Sequence, residues 1–146
     1  MPGVMSPIRA GTPVQGSGGA AGLRDQLIAI VDDDDSVRVA LASLARSAGL
    51  RTKAYASAAD FLAEDLSSFD CVVSDIQMPE LSGFDLLRAV RARRAELPVI
   101  LITAFPDERV QQRAISGGAR FFLEKPCNPN LLVTSLAEAL EAGGSA

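Results

Sequence analysis

Seven side chains capable of oxygen or ammonium chemistry recur at regular places in this chain: the run Asp32-Asp33-Asp34-Asp35, then Asp75, Thr103 and Lys125. Each lies just past a short apolar segment, these being Leu27-Ile-Ala-Ile-Val31, Cys71-Val-Val-Ser74, Pro98-Val-Ile-Leu-Ile102 and 119–123. Carboxylates brought together repel one another unless one keeps a proton or a cation neutralises them. The chain has no histidine, and neither cysteine follows one of these segments at the acidic end. Oxygen ligands alone favour a hard ion, so the expected metal is Mg²⁺ and not zinc. Such an ion, held by one or two carboxylates and waters, characteristically meets a phosphate oxygen. Lys125 is a point-charge partner for the same phosphate and Thr103 a hydroxyl donor to it. The chemistry this set supports is phosphoryl transfer, where catalysis is positioning plus charge neutralisation. A carboxylate can itself be the nucleophile and yield an acyl phosphate.

Each residue alone has a plainer reading. A run of four aspartates is commonly a solvated loop or a helix N-terminal cap. Asp75 reads equally as a turn residue closing a strand, Thr103 as a strand residue, and Lys125 as an exposed loop charge. The functional signal is their joint placement, which depends on the elements that carry them.

Those elements alternate. The run 27–31 reads as a buried strand. Val37, Leu41, Leu44 and Ala48 then share one face of a helix that Gly49 ends as its C-cap. Arg51 to Tyr55 is a less apolar strand, expected at a sheet edge. Ser57 caps a short helix with Phe61 and Leu62. A third strand covers 71–74 and a third helix starts over Phe84 to Val90. The fourth strand is Pro98 to Ile102, and the fourth helix Asp107 to Ser116 is broken by Gly117-Gly118. Ala119 to Leu123 is the fifth strand. Leu132, Leu136 and Leu140 mark a fifth helix, closed by Gly143-Gly144.

Five short apolar strands alternating with five helices predict an α/β fold, a doubly wound parallel sheet with helices on both faces. Right-handed crossovers leave few topologies, and the flavodoxin-like order 2-1-3-4-5 puts a site at the carboxyl ends of strands one and three. All the strand-end residues named above then face one crevice. Residues 1–24 are rich in Gly and Pro without period and are expected to be a disordered tail, with the domain over 25–142 and a short tail at 143–146. Gly16-Ser-Gly18 imitates a dinucleotide-binding turn but follows no strand.

The bulk numbers narrow the class. With 48% hydrophobic residues the chain can build a core without staples, and a net charge of −4 argues against nucleic-acid binding. The absence of histidine removes Ser-His hydrolases, Cys-His proteases and nearly all zinc enzymes. Two cysteines, Cys71 within an apolar run and Cys127, make no disulfide framework, which suits a reducing, cytoplasmic setting. No apolar stretch has the length of a membrane span, and the N-terminus lacks a signal core.

The segments Val31-Asp-Asp-Asp-Asp-Ser-Val-Arg38, Ser74-Asp-Ile-Gln-Met-Pro-Glu-Leu-Ser-Gly83, Ile102-Thr-Ala104 and Glu124-Lys-Pro126 resemble the response-regulator (CheY-like) receiver domains of bacterial two-component systems, in the family's order, over about residues 27 to 142. The stretch Ala56-Ser-Ala-Ala-Asp-Phe-Leu62 looks like the branch usually fused to a helix-turn-helix output domain. The resemblance implies that Asp75 is phosphorylated by a sensor histidine kinase or phosphotransfer protein, with Mg²⁺ as cofactor. Aligned on Arg38, Asp33 would touch the metal directly and Asp32 mainly through water, while the backbone carbonyl of Gln77 completes the protein ligands. Asp34 and Asp35 are left as loop and cap residues. Thr103 and Lys125 match the pair that grips the phosphoryl group, Pro126 the usually cis Lys-Pro peptide, and Phe122 the aromatic switch position. Gln77 and Phe105 stand where the family tunes phosphate lifetime through water access. An apolar Phe105 is expected to shield the acyl phosphate.

The implied output is a change of contacts on the face formed by helix four, strand five and helix five, read by a downstream protein. A phosphorylation-linked homodimer is compatible with it. No direct nucleic-acid or membrane partner is expected. The protein is then a signalling receiver and no enzyme beyond its own phosphorylation and dephosphorylation. Ending near the fifth helix, it is expected to be either a stand-alone regulator or a fragment. Three other readings compete with this one. A haloacid-dehalogenase phosphatase is imitated by Asp32-Asp33-Asp34 but needs an acidic pair on a later strand end, and only Glu138 and Glu141 follow Lys125. A degenerate receiver that scaffolds partners is opposed by the complete residue set. A flavodoxin-like cofactor binder is opposed by the acidic first loop, which repels a flavin phosphate.

Overall fold

The computed structural model describes residues 26–145, so the expected N-terminal tail and the Gly16-Ser-Gly18 turn lie outside the described residues. Its elements are β1 (Leu27–Val31), α1 (Asp35–Ser47), β2 (Arg51–Tyr55), α2 (Ala58–Leu62), a 3₁₀ turn (Leu66–Ser68), β3 (Cys71–Asp75), α3 (Gly83–Arg93), β4 (Val99–Thr103), α4 (Glu108–Ser116), β5 (Phe121–Glu124) and α5 (Pro129–Ser145). All four strand pairs are parallel and the sheet order is β2-β1-β3-β4-β5, the order predicted from the alternation.

The strands sort by composition. β1, β3 and β4 are buried at every position, as strands covered on both faces must be. β2, with Arg51 and Lys53, lies at one edge and β5 at the other. Side chains alternate across the sheet, so each strand feeds two cores. Leu27, Ala29 and Val31 join Val72, Val99 and Leu101 under Phe61, Phe69, Leu86, Leu87 and Val90. Ile28 and Ile30 join Val73, Ile100 and Ile102 under Leu41, Ala45, Leu132, Leu136 and Leu140.

The helix ends follow from local chemistry. Asp34 caps α1 by accepting the Val37 amide at 3.0 Å, the cap role expected in this part of the acidic run. At the other end Gly49 takes φ +89°, with Gly49 N–H on the Arg46 carbonyl and Leu50 N–H on the Ala45 carbonyl. That is a Schellman motif, and its left-handed position suits glycine. Ser57 caps α2 as predicted. Ser82 and Asp85 form a capping box, so α3 starts at Gly83, one residue before the apolar face begins. Asp107 is the cap of α4 and not its first residue.

β3 extends to Asp75 and β4 runs Val99–Thr103, each ending one residue later than expected, and two further boundaries differ more. The fifth strand was expected from Ala119 but begins at Phe121, because Gly118 at φ +97° keeps Ala119 N–H bonded to the Ala114 carbonyl as part of the α4 cap. The last helix does not stop at Gly143-Gly144 but runs to Ser145. Glycine lowers helix propensity by about 1 kcal/mol without forbidding the conformation. The start of α5 carried a signal left unused: Asn128 accepts the Leu131 amide at 3.1 Å and Pro129 occupies the first helical position. Arg93 and Arg94 at the end of α3 donate to the carbonyls of Leu62, Glu64, Leu66 and Phe69, tying down the connection into β3.

Candidate phosphoacceptor site

Because every strand runs the same way, Val31, Asp75, Thr103 and Glu124 end at one rim of the sheet. Those end residues Asp75 and Thr103, with the residues just beyond the other ends, form the site. Asp32 is fully buried and Asp75 is 3% exposed, while Asp33 stands in solvent. Carboxylate oxygens of Asp32, Asp33 and Asp75 lie within 4.8 Å of one another. The Lys125 Nζ reaches between two of them, 2.9 Å from Asp32 Oδ2 and 3.3 Å from Asp75 Oδ1. The Lys125-Pro126 peptide is cis, as the resemblance implied.

Asp32 is held by its own loop. Its amide donates to the Tyr55 carbonyl at 3.1 Å, its carbonyl accepts Arg38 Nη1 at 2.7 Å, and its Oδ1 accepts the Asp34 amide at 2.9 Å. Arg38 also pairs with Asp35. The sequence reading used Arg38 only as an alignment anchor. The three-residue spacing from Asp35 was the signal that these two meet on one helix face.

The loop after β3 is shaped by Gly83. Its amide donates to the Ile76 carbonyl at 2.9 Å, and a Cβ there would stand 2.5 Å from the Asp75 carbonyl oxygen and 2.8 Å from Ile76 Cα. The site reading had missed this glycine. Close approach of backbone to backbone leaves no room for a side chain. Ser74 adds a hydroxyl bond to the same Asp75 carbonyl, at 2.9 Å.

Thr103 is fully buried at the end of β4. Its Oγ1 accepts the Phe105 amide at 3.0 Å and donates to Gln77 Oε1 at 2.7 Å. Strand alternation puts Thr103 on the face of Val99 and Leu101, where Phe122 of β5 also packs, opposite Leu101 in register. Phe105 is 71% exposed and meets Thr103 through its backbone.

The charges are unbalanced. Burial pushes the Asp75 carboxyl above its usual range, and the Asp32 charge adds to that, with the Lys125 ammonium opposing both. Burial alone would lower the Lys125 ammonium, but the Asp32 and Asp75 carboxylates outweigh it and hold the ammonium above its ordinary value. Neither Asp32 Oδ2 nor Asp75 Oδ1 accepts a well-formed hydrogen bond from the described residues. One ammonium against three carboxylates leaves net negative charge with oxygen ligands converging, and this donor set suits a hard divalent cation. All the predicted strand-end residues thus meet at one rim, while Asp34 and Asp35 serve the helix start.

Comparison with known proteins agrees. The family described as "Response regulator receiver domain" matches residues 28–137. The chain is 38% identical over 120 residues to the response regulator protein TmoT of Ectopseudomonas mendocina, covering 81% of this chain and 54% of that protein. It is 38% identical over 112 residues to the transcriptional regulatory protein FixJ of Azorhizobium caulinodans, covering 76% of this chain and 53% of that one. The chain therefore spans about half the length of these curated relatives. Among solved structures, the BeF3-activated DrrB receiver domain superposes with a TM-score of 0.74 at 32% identity, covering 80% of this chain and 97% of that one. The structure named FixJ-N does so at 0.73 and 33%, covering 80% and 94%. Among the described residues no helix is long and apolar enough to cross a membrane. With the parallel sheet, the acidic cluster at its rim and a family match over most of its length, the chain belongs to the response-regulator receiver domains of two-component signalling.

Proposed function

We propose that Asp75 accepts a phosphoryl group from a histidine kinase or phosphotransfer protein and that Mg²⁺ is required. The observation that carries this reading is the Lys125 ammonium standing against buried Asp75, with Asp32 and Asp33 beside it. A carboxylate oxygen of Asp75 attacks phosphorus, the P–N bond of the donor phosphohistidine breaks, and the imidazole nitrogen leaves with the electron pair and takes up a proton. The product is an acyl phosphate, a mixed anhydride of Asp75. Asp32, Asp33, Asp75 and the Gln77 carbonyl are the residues to hold the ion. When bound, Mg²⁺ supplies neutralising charge to the phosphoryl oxygens. Lys125 pairs with the transferred group as a point charge.

The new group carries about −1.5 to −2 charges. Thr103 turns its hydroxyl toward that charge, and Phe122, on the same sheet face, moves into the space vacated. The two arrangements pre-exist and phosphorylation selects one. The α4–β5–α5 surface then presents a changed face to a downstream protein. Likeness to proteins named as transcriptional regulators supports an output in transcription, through a DNA-binding part or partner outside the described residues.

Incubation with acetyl phosphate and Mg²⁺, read by intact-mass spectrometry, tests the assignment. One phosphoryl adduct per chain is expected, lost in Asp75→Asn and in the presence of a chelator. Stoichiometric labelling of Asp75→Asn would overturn it.

A further inference from the structure

The buried Thr103 hydroxyl can donate one hydrogen bond and accept two. In this structure the Phe105 amide, at 3.0 Å, occupies one acceptor position, and the single proton goes to Gln77 Oε1 at 2.7 Å. The reverse orientation of the Gln77 amide would leave a buried hydroxyl proton with no acceptor, so the carbonyl oxygen belongs where it is. Gln77 is itself exposed and sits in the loop after β3, two residues past Asp75. Its amide would be fully solvated if it turned outward, yet it reaches in to a residue that has no contact with water.

We propose that the Gln77 side chain is a positioning residue that holds Thr103 in the resting state, by taking the hydroxyl proton that a phosphoryl group on Asp75 would need. The inference rests on the reading of Asp75 as the phosphoacceptor. Thr103 cannot donate its one proton to both groups. Engagement of the phosphoryl oxygen therefore requires the bond to Gln77 to break, and the strength of that bond sets part of the free energy of switching. The Gln77 backbone carbonyl and side-chain carbonyl have separate tasks on this view, the first toward the metal and the second toward the switch. The effect is on an equilibrium that precedes hydrolysis, so it is distinct from any influence of this position on water access.

Beryllofluoride binding separates the two, because the adduct does not turn over. Titration calorimetry of the full chain in Mg²⁺ should show beryllofluoride held about five-fold more tightly by both Gln77→Met and Gln77→Ala, the worth of one net hydrogen bond. Each protein is compared at its own saturating Mg²⁺, so that any change in metal affinity at the Gln77 carbonyl does not enter the beryllofluoride constant. In the Mg²⁺-loaded protein without beryllofluoride, the Thr103 methyl resonance of each variant should lie displaced toward its beryllofluoride-bound position. Unchanged or weaker beryllofluoride binding in the variants, or an unmoved Thr103 methyl, would each overturn the inference. Failure of the wild-type chain to bind beryllofluoride at all would instead defeat the assignment of Asp75.

Discussion

The surroundings of Asp75 disfavour its charged form, because burial and the Asp32 charge raise its pKa more than Lys125 lowers it. A carboxyl whose folded pKa lies above its ordinary value of 3.8 favours folding when protonated. That contribution is present at low pH and is lost as pH rises from the ordinary value through the raised one. With Asp75 ionised and no metal bound, the site therefore carries repulsion between Asp75 and Asp32. Asp75→Asn, a neutral side chain of the same shape, should raise the melting temperature of the metal-free protein by a few degrees at pH 7 and by almost nothing near pH 3.5. Mg²⁺ should stabilise the wild type more than the variant. A lower melting temperature for the variant at pH 7 without metal would contradict this account of the site. Lys125 is shifted in the same direction, but its window lies in the alkaline range. Its raised pKa means its pairing contributes fully at neutral pH and is lost only in the alkaline range, as pH climbs past its ordinary value of 10.5 and through the raised one.

Gly83 links Asp75 to the helix that follows it. A β-carbon there would meet the Asp75 carbonyl at 2.5 Å and Ile76 Cα at 2.8 Å, both rigid backbone atoms that cannot swing aside. Gly83→Ala must therefore push the start of α3 away from the end of β3, straining the Gly83–Ile76 hydrogen bond and the Ser82–Asp85 capping box. Overpacking of this kind costs about 1–3 kcal/mol. Urea unfolding should show that loss, and Mg²⁺ affinity should fall with it because the Gln77 carbonyl is carried by the same loop. Wild-type stability and Mg²⁺ affinity in Gly83→Ala would show that the loop is not held as described. The caps around the sheet were readable in the sequence where a capping side chain precedes an apolar period, as at Ser57. They were less so where a glycine pair let the helix end extend its bonds, as at Ala119.

Across the whole molecule the helices are unequally anchored, even on one sheet face. α3 buries Phe84, Leu86, Leu87 and Val90, whereas α4 buries only Ala114. The rest of what ties α4 down is half-buried Val110 against the same core, Arg113 over the Phe84 ring at 4.2 Å, and Gly117 close to Leu87. β5, next to it, is a four-residue edge strand. Elements with few buried apolar contacts occupy the low end of local stability and are the ones a signal can move. Hydrogen exchange read by mass spectrometry should therefore change most between residues 105 and 125 when Mg²⁺ and beryllofluoride are added, and little in β1 or β3 away from the site. Equal change throughout the sheet, or none around α4 and β5, would show that the response does not run through this face.

Periods of two and of three to four residues, apolar runs and turn residues are local properties, so the sequence alone determined the five strands and five α-helices, though not the 3₁₀ turn at Leu66–Ser68, and also the edge character of β2 and the acid, hydroxyl and amine at the strand ends. Parallel pairing then left those ends at one rim, and Asp32, Asp75, Thr103 and Lys125 were legible for that reason. Only the tertiary structure decided which atoms meet there. That Arg38 grips the Asp32 carbonyl, that Gly83 closes against Asp75, and that Gln77 takes the Thr103 proton all depend on loop paths between strands. Loops have no period, and their course is set by contacts between residues far apart in the chain, which exist only once the sheet has brought its carboxyl ends together.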